Sequence, residues 1–245
     1  MRIKLIIFDF DGPILDSFPT AKKSLLEGIE KLKKEKGVSP KKVILDKDVF
    51  INCWGFPGNK TLKLIFPLLE EGETELINDC WRKNELKRKI PFVRGARRTI
   101  KHLKNKGYFT ALLTSRSHNI PLHLKGRGPE ELFDMIQSLR NPKVYPEKVH
   151  NNHVFSTCHK PDPKVLIPIL KWAAKKRISK KEMVIIDDTL VGLATAKNSD
   201  ILFLGVLTGP LDTKEKWLKY GKLDKKYVIK SVAELPRWLK QYEGV

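Results

Sequence analysis

Short, uninterrupted apolar runs alternate along the chain with segments in which apolar residues recur every three or four positions. The runs lack the polar alternation of a half-exposed strand, and continuous runs are typical of parallel strands covered on both faces. We therefore predict buried strands at residues 4–9, 108–114, 183–187 and 201–207, with weaker candidates at 153–156 and 226–229.

The segments between these runs predict helices. Residues 95–106, 163–177 and 190–198 each carry apolar residues on one helical face, and Gly107 follows the first of them as a helix stop. Strands that alternate with helices favour a doubly wound, parallel, Rossmann-like α/β sheet.

One long segment breaks the alternation. Residues 17–90 show helical periodicity and no convincing pair of strands. An insert at this point would hang over the carboxyl end of the first strand, where open α/β sheets bind ligands. We predict helices at about 20–36, 59–70 and 74–89, a helical cap domain at 17–90, and a catalytic core formed by 1–16 and 91–245.

Composition agrees with a folded globular protein. The 245 residues are 41% hydrophobic and 31% charged, which is too apolar for a disordered chain. No apolar stretch reaches the length of about 18 residues that a transmembrane helix needs. The first apolar run is short and ends in an aspartate, so we expect no secretory signal. Three scattered cysteines, Cys53, Cys80 and Cys158, suit a reducing compartment, and we expect a cytoplasmic protein.

The net charge of +20 raises the question of anionic partners. Residues 82–106 contain eleven Lys and Arg and one acid, Glu85, which makes this stretch a candidate nucleic-acid patch. Aromatic residues for stacking on bases are scarce there, and no nucleic-acid-binding motif occurs. Lysine outnumbers arginine 37 to 11, which favours a solvated basic surface.

The end of the first apolar run carries two acids. Asp9 and Asp11 lie two residues apart, so in an extended chain their side chains point to the same side. Buried carboxylates without partners are costly, and a hard divalent cation such as Mg²⁺ would offset their repulsion. Gly12 permits a tight turn directly afterwards. The alternative interpretation is an aspartate-containing turn that caps a helix.

Three further segments add groups suited to phosphate and metal. Thr114 and Ser115 follow the second strong run, and Lys160 precedes a proline turn that opens a helix. Taken alone, the hydroxyl pair is better explained as a turn or N-cap, and a single lysine says little. Asp187 and Asp188 end a third run, where adjacent carboxylates favour a metal ligand over a surface turn.

Together these segments resemble the haloacid dehalogenase superfamily, specifically its phosphoglycolate-phosphatase-like members with a helical, C1-type cap. The resemblance covers nearly the whole chain. It rests on four motifs in the family's order, namely F-D-F-D-G-x-x-x-D-S from residue 8, T-S at 114–115, K-P-D-P at 160–163 and D-D-T at 187–189.

The resemblance implies a role for each matching residue. Asp9 corresponds to the nucleophile that forms an aspartyl-phosphate, and Asp11 to the general acid and base. Thr114 and Lys160 match the positions that bind the phosphoryl group. The family holds Mg²⁺ through the first acid, the backbone carbonyl of the second, and an acid of the fourth motif.

The fourth motif departs from the commoner pattern of Gly-Asp followed four residues later by Asp. Asp187 stands where glycine is expected, and Gly192 occupies the place of the later acid. Versions with two adjacent acids exist in the family, so a metal site is retained. Either acid can be the direct ligand, and we favour Asp188.

The substrate is less defined by sequence. An acid at Asp11 points to hydrolysis of a phosphate ester or, less often, to a phosphosugar mutase. Asn59 and Lys60, in a loop that resembles the family's substrate-selecting cap loop, and Arg116 are candidates for substrate contact. We expect a Mg²⁺-dependent phosphatase of small phosphorylated metabolites such as phosphoglycolate, a sugar phosphate or a nucleotide. The alternatives are action on nucleic-acid ends and a nucleic-acid-binding protein on this fold.

Overall fold

Seven parallel strands form the centre of the molecule in the computed structural model, which describes residues 2–116, 132–139 and 152–244. Their order across the sheet is β4-β3-β2-β1-β5-β6-β7. This arrangement confirms the predicted doubly wound α/β class. The strands are β1 (Leu5–Phe8), β2 (Phe109–Leu113), β3 (Met135–Leu139), β4 (His153–Ser156), β5 (Met183–Asp187), β6 (Leu202–Val206) and β7 (Val228–Ile229).

Strand β3 was absent from the predicted set, whereas the other six strands lie within predicted runs. Its sequence includes Gln137 and Ser138, so no continuous apolar run marks it. Both polar side chains are buried and bonded inside the fold. Gln137 donates to the carbonyl of Val165, and Ser138 Oγ lies 2.8 Å from His153 Nε2. Both polar side chains of this strand therefore bond to residues distant in sequence, although Gln137 Oε1 is buried without a hydrogen-bond partner among the described residues.

Helices cover both faces of the sheet and form a separate layer above one edge. Two of them, α2 and α8, were not predicted, and α3 is shorter than predicted because it ends before Pro67. The α-helices of seven or more residues in the described part of the chain are α1 (Phe18–Lys36), α2 (Lys47–Cys53), α3 (Gly58–Ile65), α4 (Glu71–Lys87), α5 (Ala96–Asn105), α6 (Ile167–Lys175), α7 (Leu190–Ser199) and α8 (Leu235–Glu243).

Burial on both faces of the sheet explains the unbroken apolar runs. In β1, Ile6 and Phe8 belong to a cluster that also contains residues of α5 and α8. Leu5 and Ile7 point the other way, into a cluster with residues of α6 and α7. Because successive side chains of a strand alternate between faces, a strand covered twice has no polar position.

Helices α1 to α4 share a third apolar cluster of their own, which we call the helical layer (residues 18–87). Two chain segments connect this layer to the sheet, and they run side by side. Asp16 N–H donates to the carbonyl of Pro91 at 2.9 Å, and Val93 N–H donates to the carbonyl of Ile14 at 2.8 Å. The domain limits at 16/17 and 90/91 stay predictions.

Acidic partners offset part of the basic stretch 82–106. Arg88 contacts Glu27 at 2.7 Å, Arg82 contacts Asp79 at 2.8 Å, and Lys104 contacts Asp134 at 2.8 Å. The local excess of positive charge is therefore smaller in three dimensions than along the sequence. No helix in the described part of the chain is both long enough and apolar enough to span a bilayer.

Candidate active site

The carboxyl edge of the sheet gathers the residues that the motifs singled out. Asp9 directly follows β1, Thr114 follows β2, and Asp187 is the last residue of the neighbouring β5. Because parallel strands end at the same edge, residues far apart in sequence meet there. Lys160 reaches the same place from the loop between β4 and α6.

Lys160 lies between two carboxylates. Its Nζ is 2.9 Å from Asp9 Oδ1 and 2.7 Å from Asp187 Oδ2, and all three side chains are buried. Burial acts to lower the pKa of Lys160, but Asp187 and Asp9 outweigh it and raise the pKa, so the ammonium stays charged. The lysine thereby fixes the position of the Asp9 carboxylate.

Asp187 has partners for both of its oxygens. Oδ2 accepts from Lys160, and Oδ1 accepts from Thr189 N–H at 2.9 Å and from Thr189 Oγ1 at 2.7 Å. Gly192 makes this packing possible, since a Cβ there would lie 2.0 Å from the Asp187 carboxyl carbon. Both oxygens of Asp187 are therefore engaged, one in holding Lys160 and the other in stabilising the turn into α7.

Asp188 differs from Asp187 because one of its carboxylate oxygens, the buried Oδ1, has no hydrogen-bond partner among the described residues. Burial, followed by the charges of Asp187 and Asp9, raises the pKa of Asp188 well above its usual value. A Cβ on Gly12 or Gly209 would lie within 2.2 Å of this carboxylate, so both glycines leave room beside it.

Asp9, Asp187 and Asp188 form the group of acids best suited to a cation. One oxygen from each lies within 4.8 Å of the others. A buried carboxylate oxygen without a partner, beside a second buried carboxylate, fits a hard divalent ion such as Mg²⁺. Burial raises the pKa of Asp9 to about 7, against the opposing effect of Lys160 and with a further contribution from Asp187.

Asp11 points away from this group and toward Arg116. Arg116 Nε donates to one Asp11 oxygen and Nη2 to the other, each at 2.6 Å. Arg116 Nη1 is also 3.4 Å from Glu85 Oε2, so an acid of helix α4 meets the sheet edge here. Burial acts to lower the pKa of Arg116, but Asp11 and Glu85 raise it overall. Sequence analysis gave Arg116 only a weak role and Glu85 none.

The two hydroxyl residues after β2 have different surroundings. Thr114 is buried, its N–H donates to the carbonyl of Gln137 at 3.0 Å, and its Oγ1 accepts from Arg116 N–H at 3.1 Å. Ser115 is half-buried and lines the cavity described next. Thr114 therefore shapes the turn that presents Ser115 and Arg116.

A cavity of about 370 Å³ lies between the sheet edge and the helical layer. Asp9, Asp11, Lys160 and Asp188 line its floor, and Asn59 lines the opposite side. Lys60 instead packs over the Phe56 ring, with Nζ 4.1 Å from the ring centroid. Sequence analysis did not single out the aromatic residues of the wall, because an aromatic residue on a helix or in a short connection is most simply interpreted as part of the core. They are Phe18, Trp54, Phe56 and Trp81.

Comparison with known proteins gives one family match. Residues 6–206 match the model of the family described as haloacid dehalogenase-like hydrolase. No curated protein matches this chain.

Solved structures share the fold over nearly the whole chain at low sequence identity. A predicted phosphoglycolate phosphatase from Haemophilus somnus 129pt is 15% identical, with a TM-score of 0.65 over 97% of this chain and 98% of that one. A predicted phosphatase from Clostridium acetobutylicum is 17% identical, with a TM-score of 0.68 over 100% of both chains. A protein from Bacteroides vulgatus provisionally named β-phosphoglucomutase is 20% identical, with a TM-score of 0.65 over 98% of this chain and 90% of that one.

Proposed function

Because this chain belongs to the haloacid dehalogenase-like hydrolase family, we propose that it hydrolyses a small phosphomonoester through an aspartyl-phosphate on Asp9. One observation carries the proposal. The Asp9 carboxylate opens into the cavity with Lys160 on one side and the unpartnered oxygen of Asp188 close by. The proposed nucleophile Asp9, the ammonium of Lys160 and a carboxylate that can bind a metal ion, Asp188, therefore lie around the same point.

The reaction divides into two displacements at phosphorus. In the first, an Asp9 oxygen attacks phosphorus, the bond to the ester oxygen breaks, and Asp11 gives that oxygen a proton. In the second, Asp11 takes a proton from water as the water attacks phosphorus, which releases phosphate and restores Asp9. Splitting one difficult hydrolysis into two steps lowers the barrier to each. Lys160 holds Asp9 and neutralises charge on the phosphoryl oxygens.

We propose Mg²⁺ as the cofactor, held by Asp9, Asp188 and the backbone carbonyl of Asp11. When bound, the ion would neutralise charge on the phosphoryl group. Asp187 is a positioning residue in this scheme, because both of its oxygens are already engaged by Lys160 and Thr189.

Arg116 adds a condition to the role of Asp11. Two short hydrogen bonds hold Asp11 as a carboxylate, which is the form that accepts a proton from water. To donate a proton, Asp11 must first be released by Arg116. We place this release at substrate binding, and Glu85 then provides the second carboxylate that keeps the guanidinium paired.

The test is phosphate release from p-nitrophenyl phosphate with Mg²⁺. Asp9→Asn removes the attacking oxygen, and we expect turnover to fall by about a thousandfold or more. Asp16→Asn is the matched control, since Asp16 is an exposed acid of the same motif, and it is expected to retain turnover. Unchanged turnover in Asp9→Asn would show that Asp9 is not the nucleophile. Isomerised sugar phosphate in place of free phosphate would assign a mutase.

The cytoplasm stays the proposed compartment. None of the three cysteines forms a disulfide, and Cys53 is buried. Unpaired cysteines are what a reducing compartment favours.

A further inference from the structure

Above the phosphoryl site the cavity has an aromatic wall contributed by the helical layer. Trp54 and Trp81 stack with centroids 5.5 Å apart and planes at 20°, and Phe18 meets Trp54 edge-on at 5.2 Å. Phe56 lies on the loop before α3 and also lines the cavity. Three of these rings are only partly buried by the fold, which leaves aromatic surface for a ligand.

The same wall offers no surplus positive charge. Among the lining residues that the structure describes, Arg116 faces Asp11 and Glu85, Lys160 faces Asp9 and Asp187, and Arg82 faces Asp79. Partial burial and Lys60 lower the pKa of His159, which favours the neutral form of its imidazole. A carboxylate on the leaving group would therefore meet cations that already have partners, beside the buried acid Glu85.

Neutral hydrogen-bonding groups take the place of charges around the rings. Asn59 and Asn78 both line the cavity, and their amides can donate and accept. Asn78 Oδ1 lies close to Gly58, where a Cβ would be only 2.7 Å away. Apolar walls with a few polar groups are typical of sites that bind uncharged ring systems.

A chain of contacts ties the aromatic wall to the acid that serves the leaving group. Trp81 and Glu85 lie four residues apart on helix α4, Glu85 contacts Arg116, and Arg116 holds Asp11. These contacts therefore fix the position of the aromatic wall relative to Asp11. A ring held on this wall would place its ester oxygen near Asp11.

We infer that the leaving group of the substrate is an uncharged alcohol that carries a planar ring, as a nucleoside does. The inference rests on the proposed phosphatase activity and narrows it. It disfavours phosphoglycolate, whose leaving group carries a carboxylate, and small open-chain alcohols, which leave the rings uncovered.

The first test compares kcat/KM of the wild-type protein for four esters, with Mg²⁺ present. The esters are adenosine 5′-monophosphate, p-nitrophenyl phosphate, glycerol phosphate and 2-phosphoglycolate. We expect adenosine 5′-monophosphate to exceed glycerol phosphate and 2-phosphoglycolate by about tenfold or more, which is the size of effect that stacking of one ring provides. Since p-nitrophenolate is a better leaving group than an alkoxide, p-nitrophenyl phosphate serves only to show that phosphate release is intact.

The second test follows the ratio of kcat/KM for adenosine 5′-monophosphate to that for glycerol phosphate. Trp81→Ala is expected to lower this ratio by about tenfold. Trp172→Ala is the matched control, because Trp172 is a partly buried indole that packs on Phe109 outside the cavity. Phe56→Leu, on a loop, gives a second variant of the wall should Trp81→Ala fail to fold, and it too should lower the ratio.

The outcomes separate the inference from the proposed function. If 2-phosphoglycolate and glycerol phosphate match or exceed adenosine 5′-monophosphate while Asp9→Asn is inactive, the inference is overturned and the phosphatase stands. An unchanged ratio in folded Trp81→Ala and Phe56→Leu also overturns the inference. Release of phosphate from none of the four esters overturns both.

Discussion

Asp187 and Asp188 are adjacent in sequence but have opposite surroundings. One has a partner for each oxygen, and the other keeps a buried oxygen without one. The difference follows from geometry, because successive side chains at a strand end point in different directions. It favours Asp188 as the cation ligand and Asp187 as the anchor of Lys160.

Cation binding should show this difference without any turnover. At about one hundred times its Kd, Mg²⁺ should stabilise the wild-type protein by about 2.7 kcal/mol, which for this size is several degrees in Tm. Asp188→Asn should lose the Mg²⁺-dependent rise, and its Tm without Mg²⁺ should equal or exceed that of the wild type. Thermal melts with Asp16→Asn as control measure this, and a full Mg²⁺ shift in Asp188→Asn would contradict the ligand assignment.

The ionisation of Asp9 predicts the acid limb of the pH profile. Burial raises the pKa of Asp9 to about 7. Only the ionised carboxylate attacks phosphorus, so kcat/KM measured at low Mg²⁺ should fall as the pH drops below about 7. A bound cation favours the ionised form and lowers this pKa. Saturating Mg²⁺ should therefore move the acid limb to lower pH, and a limb that stays in place would argue against cation binding at Asp9.

Helix α4 and the turn after β2 are joined by a buried ion pair. Arg116 links Asp11 of the sheet edge to Glu85 of the helix, residues that are 105 and 31 positions away from it. Arg116 and Glu85 are each no more than 9% exposed, so solvent screens this contact little. The pair ties the position of the helical layer to Asp11, the proposed general acid and base.

Removing one partner of this pair should be costly. Arg116→Ala leaves the Glu85 carboxylate buried without its cation, and we expect a loss of about 3–5 kcal/mol in the free energy of unfolding. Adding Glu85→Gln should recover part of that loss, because the uncompensated charge is gone. Arg82→Ala, which breaks an exposed pair on the same helix, should change stability by less than about 1 kcal/mol. Urea unfolding measures all three, and equal losses in Arg116→Ala and Arg82→Ala would contradict the structural role.

At the scale of the whole molecule, the charge of +20 does not by itself indicate a nucleic-acid partner. Three cations of the stretch 82–106 pair with acids outside that stretch, namely Asp79 on the same helix, Glu27 and Asp134. We attribute the remaining charge to a solvated surface that helps to gather anionic esters.

Binding to DNA should accordingly be weak. We expect only weak binding to duplex or single-stranded DNA by fluorescence anisotropy at about 50 mM salt, with no sequence or end preference. Tight binding that falls steeply with salt would restore the nucleic-acid alternative.

Sequence alone determined the core architecture and predicted most of the residues that line the floor of the cavity. Apolar runs predict strands because both faces of a parallel sheet are buried. Since parallel strands end at one edge, the sequence also predicts that Asp9, Lys160 and Asp188 lie close together. Strand β3 was not predicted because Gln137 and Ser138 interrupt its apolar pattern, and the partners to which they bond are distant in sequence. Tertiary structure alone decided that Arg116 holds Asp11 and that aromatic rings face the cavity. Those contacts depend on how the helical layer packs on the sheet, and local periodicity carries no information about which apolar face meets a ligand.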